Sequence, residues 1–497
     1  MDDLILGIQR LADWEVLAAL VIGAVGGLII GAIPGIGPAI AIAILLPATL
    51  FLDPLVSLVL LLGVYGSSMY GGAIPAILIN TPGTPVNALT TYDGYAMTRR
   101  GQGARALSLA YSASFFGGCF AIVVAMIALL AFGPWLKDLG SYFSRKEVFM
   151  AAMLGALLLI FAHRQNRLIA LVLFMIGAII SMVGVQSTQN IDRWTFGLPH
   201  LITGFHLIVI IVGIFAISQA LNLLVGKDET PVETRLTGGL FRGLGELRKH
   251  PLIATLSAMY GTLMGIIPGV GEFVAQFFSY STARALSKEP QRFGHGAPEG
   301  LIASETANNA VPAAAMIPLL ALGVPGEALT AMMLTVFRSR TDLTLGPDIF
   351  VNNADFLYSL FIALLIVNVI VMATLLVTTR HIARMIYIPN RFLGAFILIL
   401  SFIGVFSINN NPLDCVFAAV AGVFGFILRR LNWPLVPIVL GMVLGDIMLR
   451  ELLASAASAP NLGLWVSRPV AGTLAVGCIG VMIAIAVTSF TDRRRSV

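Results

Sequence analysis

Ten stretches of this chain, at 16–52, 54–92, 106–136, 168–191, 194–226, 251–271, 306–326, 356–379, 392–413 and 469–491, contain no Asp, Glu, Lys or Arg. Each meets or exceeds the ~20 residues that carry an α-helix across the hydrocarbon layer, and the longest must fold back or cross twice. With shorter apolar stretches at 148–162, 415–428 and 431–445, the pattern predicts about ten to fourteen membrane segments. They should be helical, because backbone groups in lipid must all be paired and the alternating strand pattern of a barrel is absent. Composition agrees: 58% of residues are hydrophobic and 11% charged, where a soluble domain carries roughly 25% charged. The expected fold class is an all-α polytopic membrane protein.

The chain opens Met1-Asp2-Asp3, without the basic start and small-residue cleavage site of a secretory signal, so the first apolar run is expected to remain as a membrane segment. Cys119, Cys415 and Cys478 are isolated in apolar sequence and read as small packing residues. A formal net charge of +5, scattered over short hydrophilic gaps, fits a positive-inside bias better than nucleic-acid binding, so no nucleic-acid partner is expected. The histidines form no HExxH, so no transition-metal site is expected. Asp446 and Arg450, four apart, would share a helix face and could pair.

Two motifs recur in order. GAIPGIG at 31–37 returns as GIIPGVG at 265–271, and AIPAILINTPG at 73–83 returns as MIPLLALGVPG at 316–326, each second motif soon followed by Ala-Leu-Thr, at 88–90 and 328–330. Two motifs in the same order at nearly the same offset argue for duplication. The organisation expected is a first membrane repeat over 1–226, a hydrophilic linker at 227–250, a second repeat over 251–468, and an appended helix with a basic tail at 469–497. The helix-breaking positions are Pro34, Gly35, Pro75 and Pro82 in the first half and Pro268, Gly269, Pro318 and Pro325 in the second. Proline removes an N–H and frees a carbonyl that hydrocarbon cannot satisfy, so such breaks must be buried in protein or line a cavity. Paired breaks in two halves point to a secondary transporter with its site at the repeat interface.

The segments YGGAIPAILINTPGTP (70–85), DGYAMTRRGQ (93–102), GIIPGVGEF (265–273), APEGLIASETANNAVPAAAMIPLLALGVPGEALT (297–330) and LGDIMLRELLASA (444–456) resemble the large membrane subunit of the tripartite tricarboxylate transporters, the TctA family. One departure is Ser304, where the family usually has Pro before the acid. The resemblance implies a symporter in the bacterial inner membrane. It implies as partners a small four-helix membrane subunit (TctB-like), a periplasmic solute-binding protein (TctC-like) and an organic carboxylate such as citrate. No phosphate-binding loop ending in Gly-Lys-Ser/Thr is present, so no nucleotide and no ATPase are expected.

Within the motifs, the expected substrate-binding residues are Ser67, Ser68, Asn80, Thr81, Gly83 and Thr84 from the first half, and Thr306, Asn308, Asn309, Gly323 and Gly326 from the second. They offer hydroxyls, amides and close backbone approach, but no Lys or Arg. A polycarboxylate entering such a pocket loses several kcal/mol per charge, and helix N-termini return only about 0.3–2 kcal/mol each. A co-bound cation would close the difference, with Na⁺ preferred over H⁺ as coupling ion and no other cofactor. Its expected ligands are Asn80, Thr81, Glu305, Asn308 and Gly323. Glu305 is singled out as an acid at membrane depth, whereas Glu272, Glu299 and Glu327 are expected to mark interfacial edges. An anion channel and an intramembrane enzyme are the alternative readings; neither an acid pair nor a Ser-base pair supports the latter.

Overall fold

In the computed structural model the described residues are 2–82, 85–140, 144–163, 166–186, 191–226, 243–338, 345–346, 348–384, 388–456, 465 and 468–495. The helices in chain order are α1 (Asp2–Leu11), α2 (Trp14–Gly31), α3 (Pro38–Thr49), α4 (Pro54–Ile79), α5 (Ala88–Arg99), α6 (Gly103–Gly140) and α7 (Arg145–Ala162). They continue with α8 (Arg167–Ser181), α9 (Leu207–Ile211), α10 (Ser218–Val225), α11 (Gly243–Leu247), α12 (Pro251–Ile266), α13 (Gly271–Leu286) and α14 (Pro298–Leu322). The last are α15 (Ala328–Arg338), α16 (Ile349–Asn352), α17 (Ala354–Ile382), α18 (Asn390–Asn409), α19 (Pro412–Arg430), α20 (Val436–Ala456) and α21 (Pro469–Arg495).

The architecture is all-α and multi-spanning. Among the described residues eight helical spans are long and apolar enough to cross a membrane, with shorter apolar helices at α3, α8, α12 and α15. Two of the charge-free runs are only partly helical. That at 168–191 ends in an antiparallel ribbon, β1 (Gly184–Gln186) with β2 (Ile191–Arg193), and that at 194–226 becomes helical only at Leu207. A π-helical turn, Val212–Ile217, joins α9 to α10.

Helices α4 and α14 form the centre, buried on nearly every face. Small residues let their neighbours approach backbone to backbone, as membrane helix packing favours. A Cβ on Gly27 of α2 would lie 2.2 Å from Ser67 Oγ of α4, and one on Gly117 of α6 would lie 2.1 Å from the Thr306 carbonyl of α14. Outside this centre, α18, α19 and α21 keep apolar side chains such as Phe396, Val420 and Ile483 exposed, as lipid-facing helices do.

The chain leaves helical conformation around Pro34, where Gly35 has φ +79°, and around Pro268, where Gly269 has φ +84°. It also ends α4 at Asn80 (φ 59°) and α14 at Gly323 (φ 65°), both left-handed caps. Pro82 and Pro325 follow those caps, where a helix cannot continue. Pro75 and Pro318 correct the expectation: α4 and α14 run straight through them, each proline lying inside its helix five residues before the cap. Tight packing by neighbouring helices turns the missing N–H into a local perturbation, not a stop.

Two smaller expectations also change. Asp446 pairs with Arg338 of α15 at 3.1 Å, while Arg450 turns to Glu451 at 3.3 Å, because α15 docks against α20. Residues 227–242 of the expected linker lie outside the described residues; its remainder includes α11, which is fastened to α6 by Gly243 N–H donating to Ser108 Oγ at 2.7 Å and by an Arg105–Glu246 ion pair.

Candidate functional site

α14 starts at Pro298, in the first helical position where a missing N–H costs nothing, and its Ala-rich interior permits close contact with α6, α12 and α13. About two turns into it, Glu305 is fully buried. Its Oε1 accepts from Thr90 Oγ1 at 2.5 Å and Asn87 Nδ2 at 3.3 Å, and its Oε2 accepts from Ser114 Oγ at 2.9 Å. Asn309, one turn on, donates to Ser114 Oγ at 2.8 Å and to the Glu305 carbonyl at 3.2 Å. The carboxylate therefore sits where a turn (Pro85–Asn87), α5, α6 and α14 converge. Among the described residues its partners are neutral donors, and no basic side chain reaches it. Among the described residues, Thr306 Oγ1 and both amide atoms of Asn308, on the same helix, are buried with no partner, as are both amide atoms of Gln276 on the neighbouring α13. An unmet buried polar group costs about 1–3 kcal/mol.

A second cluster joins the same two halves. Tyr65 OH of α4 lies 2.7 Å from Glu272 Oε1 and is also bonded to Glu327 Oε1. Glu272 and Glu327 are 7% and 8% exposed, so both are buried in the protein against one hydroxyl. The two second-half motifs touch directly, Gly269 N–H donating to the Gly326 carbonyl at 2.6 Å.

The remaining expected residues serve elsewhere in this arrangement. Ser67 donates to the Gly23 carbonyl at 3.1 Å and Ser68 to the Tyr65 carbonyl at 3.0 Å, seating α4 against α2 and against its own preceding turn. Asn80 and Thr81 are exposed; Asn80 caps α4 through its N–H to the Pro75 carbonyl, and Thr81 Oγ1 bonds the Ile79 carbonyl at 3.4 Å. Gly323 caps α14 through its N–H to the Leu319 carbonyl at 2.9 Å. Gly83 and Thr84 lie outside the described residues. The structure thus brings Glu305 and Asn309 together and leaves Thr306 and Asn308 unpartnered on the same helix.

Sequence reasoning missed Asn87, Thr90, Ser114, Tyr65 and Gln276. One signal was available for Thr90, the repeated Ala-Leu-Thr. In the second copy Thr330 Oγ1 accepts from Glu327 N–H at 3.1 Å and donates to the Glu327 carbonyl at 3.0 Å. Among the described residues no group of three or more His, Cys, Asp or Glu could hold a metal ion.

A bundle of membrane-spanning helices whose centre holds a buried acid, unpartnered amides and interrupted helices has the form of a membrane transporter. The chain belongs to the tripartite tricarboxylate transporter TctA family, whose sequence profile matches residues 17–440. It is accordingly a multi-pass inner-membrane protein with a role in tripartite carboxylate transport. Among its relatives is an Agrobacterium vitis protein described as an uncharacterized 52.8 kDa protein in the TAR-I ttuC′ 3′ region, 34% identical over 466 residues, covering 93% of this chain and 92% of that one. Another, from the TAR-II ttuC′ 3′ region of the same organism, is 35% identical over 227 residues, covering 45% of this chain and 93% of that one. No solved structure matches.

Proposed function

We propose that this protein is the symporter subunit that carries a di- or tricarboxylate, or a related organic acid anion, with a cation, Na⁺ before H⁺. The observation that carries the reading is Glu305, a fully buried carboxylate held, among the described residues, by hydroxyls and an amide, with Thr306 and Asn308 unpartnered there on the same helix. An isolated buried charge costs several kcal/mol. A Na⁺ ion bound to Glu305 and to the side-chain oxygen of Asn308, three residues on and so on the same side of the helix, removes that cost, and the amide N–H groups of Asn308 are donors suited to a carboxylate. Neither charge is then buried alone, which makes coupling obligatory. Substrate would arrive from a TctC-like periplasmic binding protein, and a TctB-like four-helix subunit would complete the assembly.

The halves 1–226 and 251–468 are read as a duplication, supported by matching backbone conformations at Gly35 and Gly269 and at Asn80 and Gly323. Their relative movement around the bound pair would supply alternating access.

Proton coupling is the second reading, and one observation favours it. Tyr65 has a single phenolic hydrogen but meets two carboxyl groups, so one of them must carry a proton for both contacts to be hydrogen bonds. Citrate uptake into proteoliposomes separates the possibilities. Accumulation driven by an inward Na⁺ gradient supports the first reading, and accumulation driven by a proton gradient alone, lost in Glu327→Gln, supports the second. Uptake that equilibrates without accumulating under either gradient means a channel and refutes both.

A further inference from the structure

We propose that Asp93 is a positioning residue for the Glu305 pocket, an assignment that rests on Glu305 being the cation ligand. Asp93 is fully buried on α5. Its Oδ1 accepts three backbone N–H groups, from Gly294 at 2.9 Å, Gly296 at 2.8 Å and Ala297 at 2.8 Å, and its Oδ2 accepts Tyr280 OH at 2.8 Å. Ala297 is the N-cap residue of α14 and has no side-chain oxygen to cap it. A carboxylate from another helix therefore accepts the N–H of the N-cap residue, as the acid of a capping box does, in the place where the helix dipole favours an anion.

The loop is shaped to receive it. Gly294 (φ +83°) and Gly296 (φ +94°) turn their own N–H groups and that of Ala297 inward, much as backbone nests hold anions. Gly300 leaves the room, since a Cβ there would stand 2.1 Å from Asp93 Oδ2.

Thr90 and Asp93 are three apart and share a face of α5. One bonds Glu305 and the other the start of α14. With Asn87 just before α5 also on Glu305, the first-half segment is fastened to the second-half helix at two levels. Asp93 touches no part of the proposed ion site. It fixes the height at which Thr90 and Asn87 meet Glu305, so its loss should weaken the site without removing a ligand.

The test uses the full-length protein purified in detergent, with Asp93→Ala, Asp93→Asn and Tyr280→Phe. Two quantities are measured: amide hydrogen exchange over 88–91 and 293–300, and binding of radioactive Na⁺. Asp93→Ala is expected to speed exchange in both segments and to weaken Na⁺ binding about tenfold, a 1.4 kcal/mol change, at an unchanged number of sites. Asp93→Asn, which keeps an oxygen facing the three N–H groups, should recover most of that. Wild-type exchange at 88–91 together with wild-type half-saturation in Asp93→Ala overturns the proposal. Should Asp93→Ala fail to fold, Tyr280→Phe decides: faster exchange at 88–91 supports the role, and no change in exchange or binding overturns it. If the wild type binds no Na⁺, the cation reading falls separately and the exchange at 88–91 alone decides whether Asp93 fixes α5.

Discussion

The pairs α2–α4 and α12–α14 share several backbone features and differ in chemistry. Each has a helix interrupted at a Pro-Gly, then a long central helix with a proline five residues before a left-handed cap. In α4 the polar side chains are committed to packing, Ser67 to α2 and Ser68 to its own preceding turn. In α14 an acid and two polar neighbours are buried without protein partners adequate to their charge and hydrogen-bonding capacity. Shared backbone features therefore do not imply a shared role: on the proposed reading α4 is the support and α14 is the floor of the site.

The largest effect should follow Glu305→Gln, which keeps the size, turns one acceptor into a donor and removes the charge. Loss of one member of a buried ion pair costs about 3–5 kcal/mol, and cation-driven citrate uptake should fall by at least about 100-fold. Ser67→Ala, at a buried serine of the support helix, should transport nearly as the wild type. The opposite ranking in proteoliposomes would break the comparison.

Next comes Asn308→Leu. Replacing two unpartnered polar atoms by an apolar group of similar shape should raise thermal stability, by up to about 1–3 kcal/mol. In the same variant Na⁺ half-saturation should rise about tenfold or more, as loss of one ligand worth 1.4 kcal/mol would give. Stability and transport moving in opposite directions marks a group kept for ligand and not for folding. A merely structural Asn308 would lose both.

A third test uses the repeated Ala-Leu-Thr. Thr90 donates to a buried carboxylate, while Thr330 bonds only the backbone of Glu327. Thr90→Val should weaken cation binding about tenfold, since a hydrogen bond to a charged group is worth about 1.5–3 kcal/mol. Thr330→Val should change it less than about twofold, its bonds being neutral and local. Equal effects would mean that the two copies are functionally equivalent.

What the sequence revealed follows the same division. Pro34–Gly35 and Pro268–Gly269 were legible because proline lacks the donor and glycine accepts positive φ, properties that no tertiary context removes. Glu305 was legible because an acid bordering a long uncharged run has few bland explanations. Tyr65, Gln276 and Ser114 were not. Their helices are buried on most sides, so apolar periodicity, the usual guide to which face meets what, is erased. Pro75 and Pro318 were misjudged because whether a helix tolerates proline depends on what packs around it, which no local pattern records. Asn80 was expected at the substrate because Asn is a good ligand, yet Asn is also a good left-handed cap, and spacing alone does not separate the two uses.

That ambiguity gives the smallest and most pointed prediction. Asn80 and Gly323 occupy corresponding caps at φ 59° and 65°, a conformation that glycine adopts freely and Asn better than other residues. If Asn80 is only a cap, Asn80→Gly should shift stability by a few tenths of a kcal/mol at most, and the reverse change Gly323→Asn should be nearly as well tolerated. By contrast Gly323→Val, with a β-branched side chain in left-handed space, should cost at least about 1–2 kcal/mol. Uptake in Asn80→Gly is the deciding measurement, because the backbone is unchanged and only the amide is gone. Wild-type rates leave the site to α14 and its donors from α5 and α6. A loss of tenfold or more, equal to 1.4 kcal/mol, at unaltered stability would return the Asn80 side chain to the ligand shell and make the two tips equal partners after all.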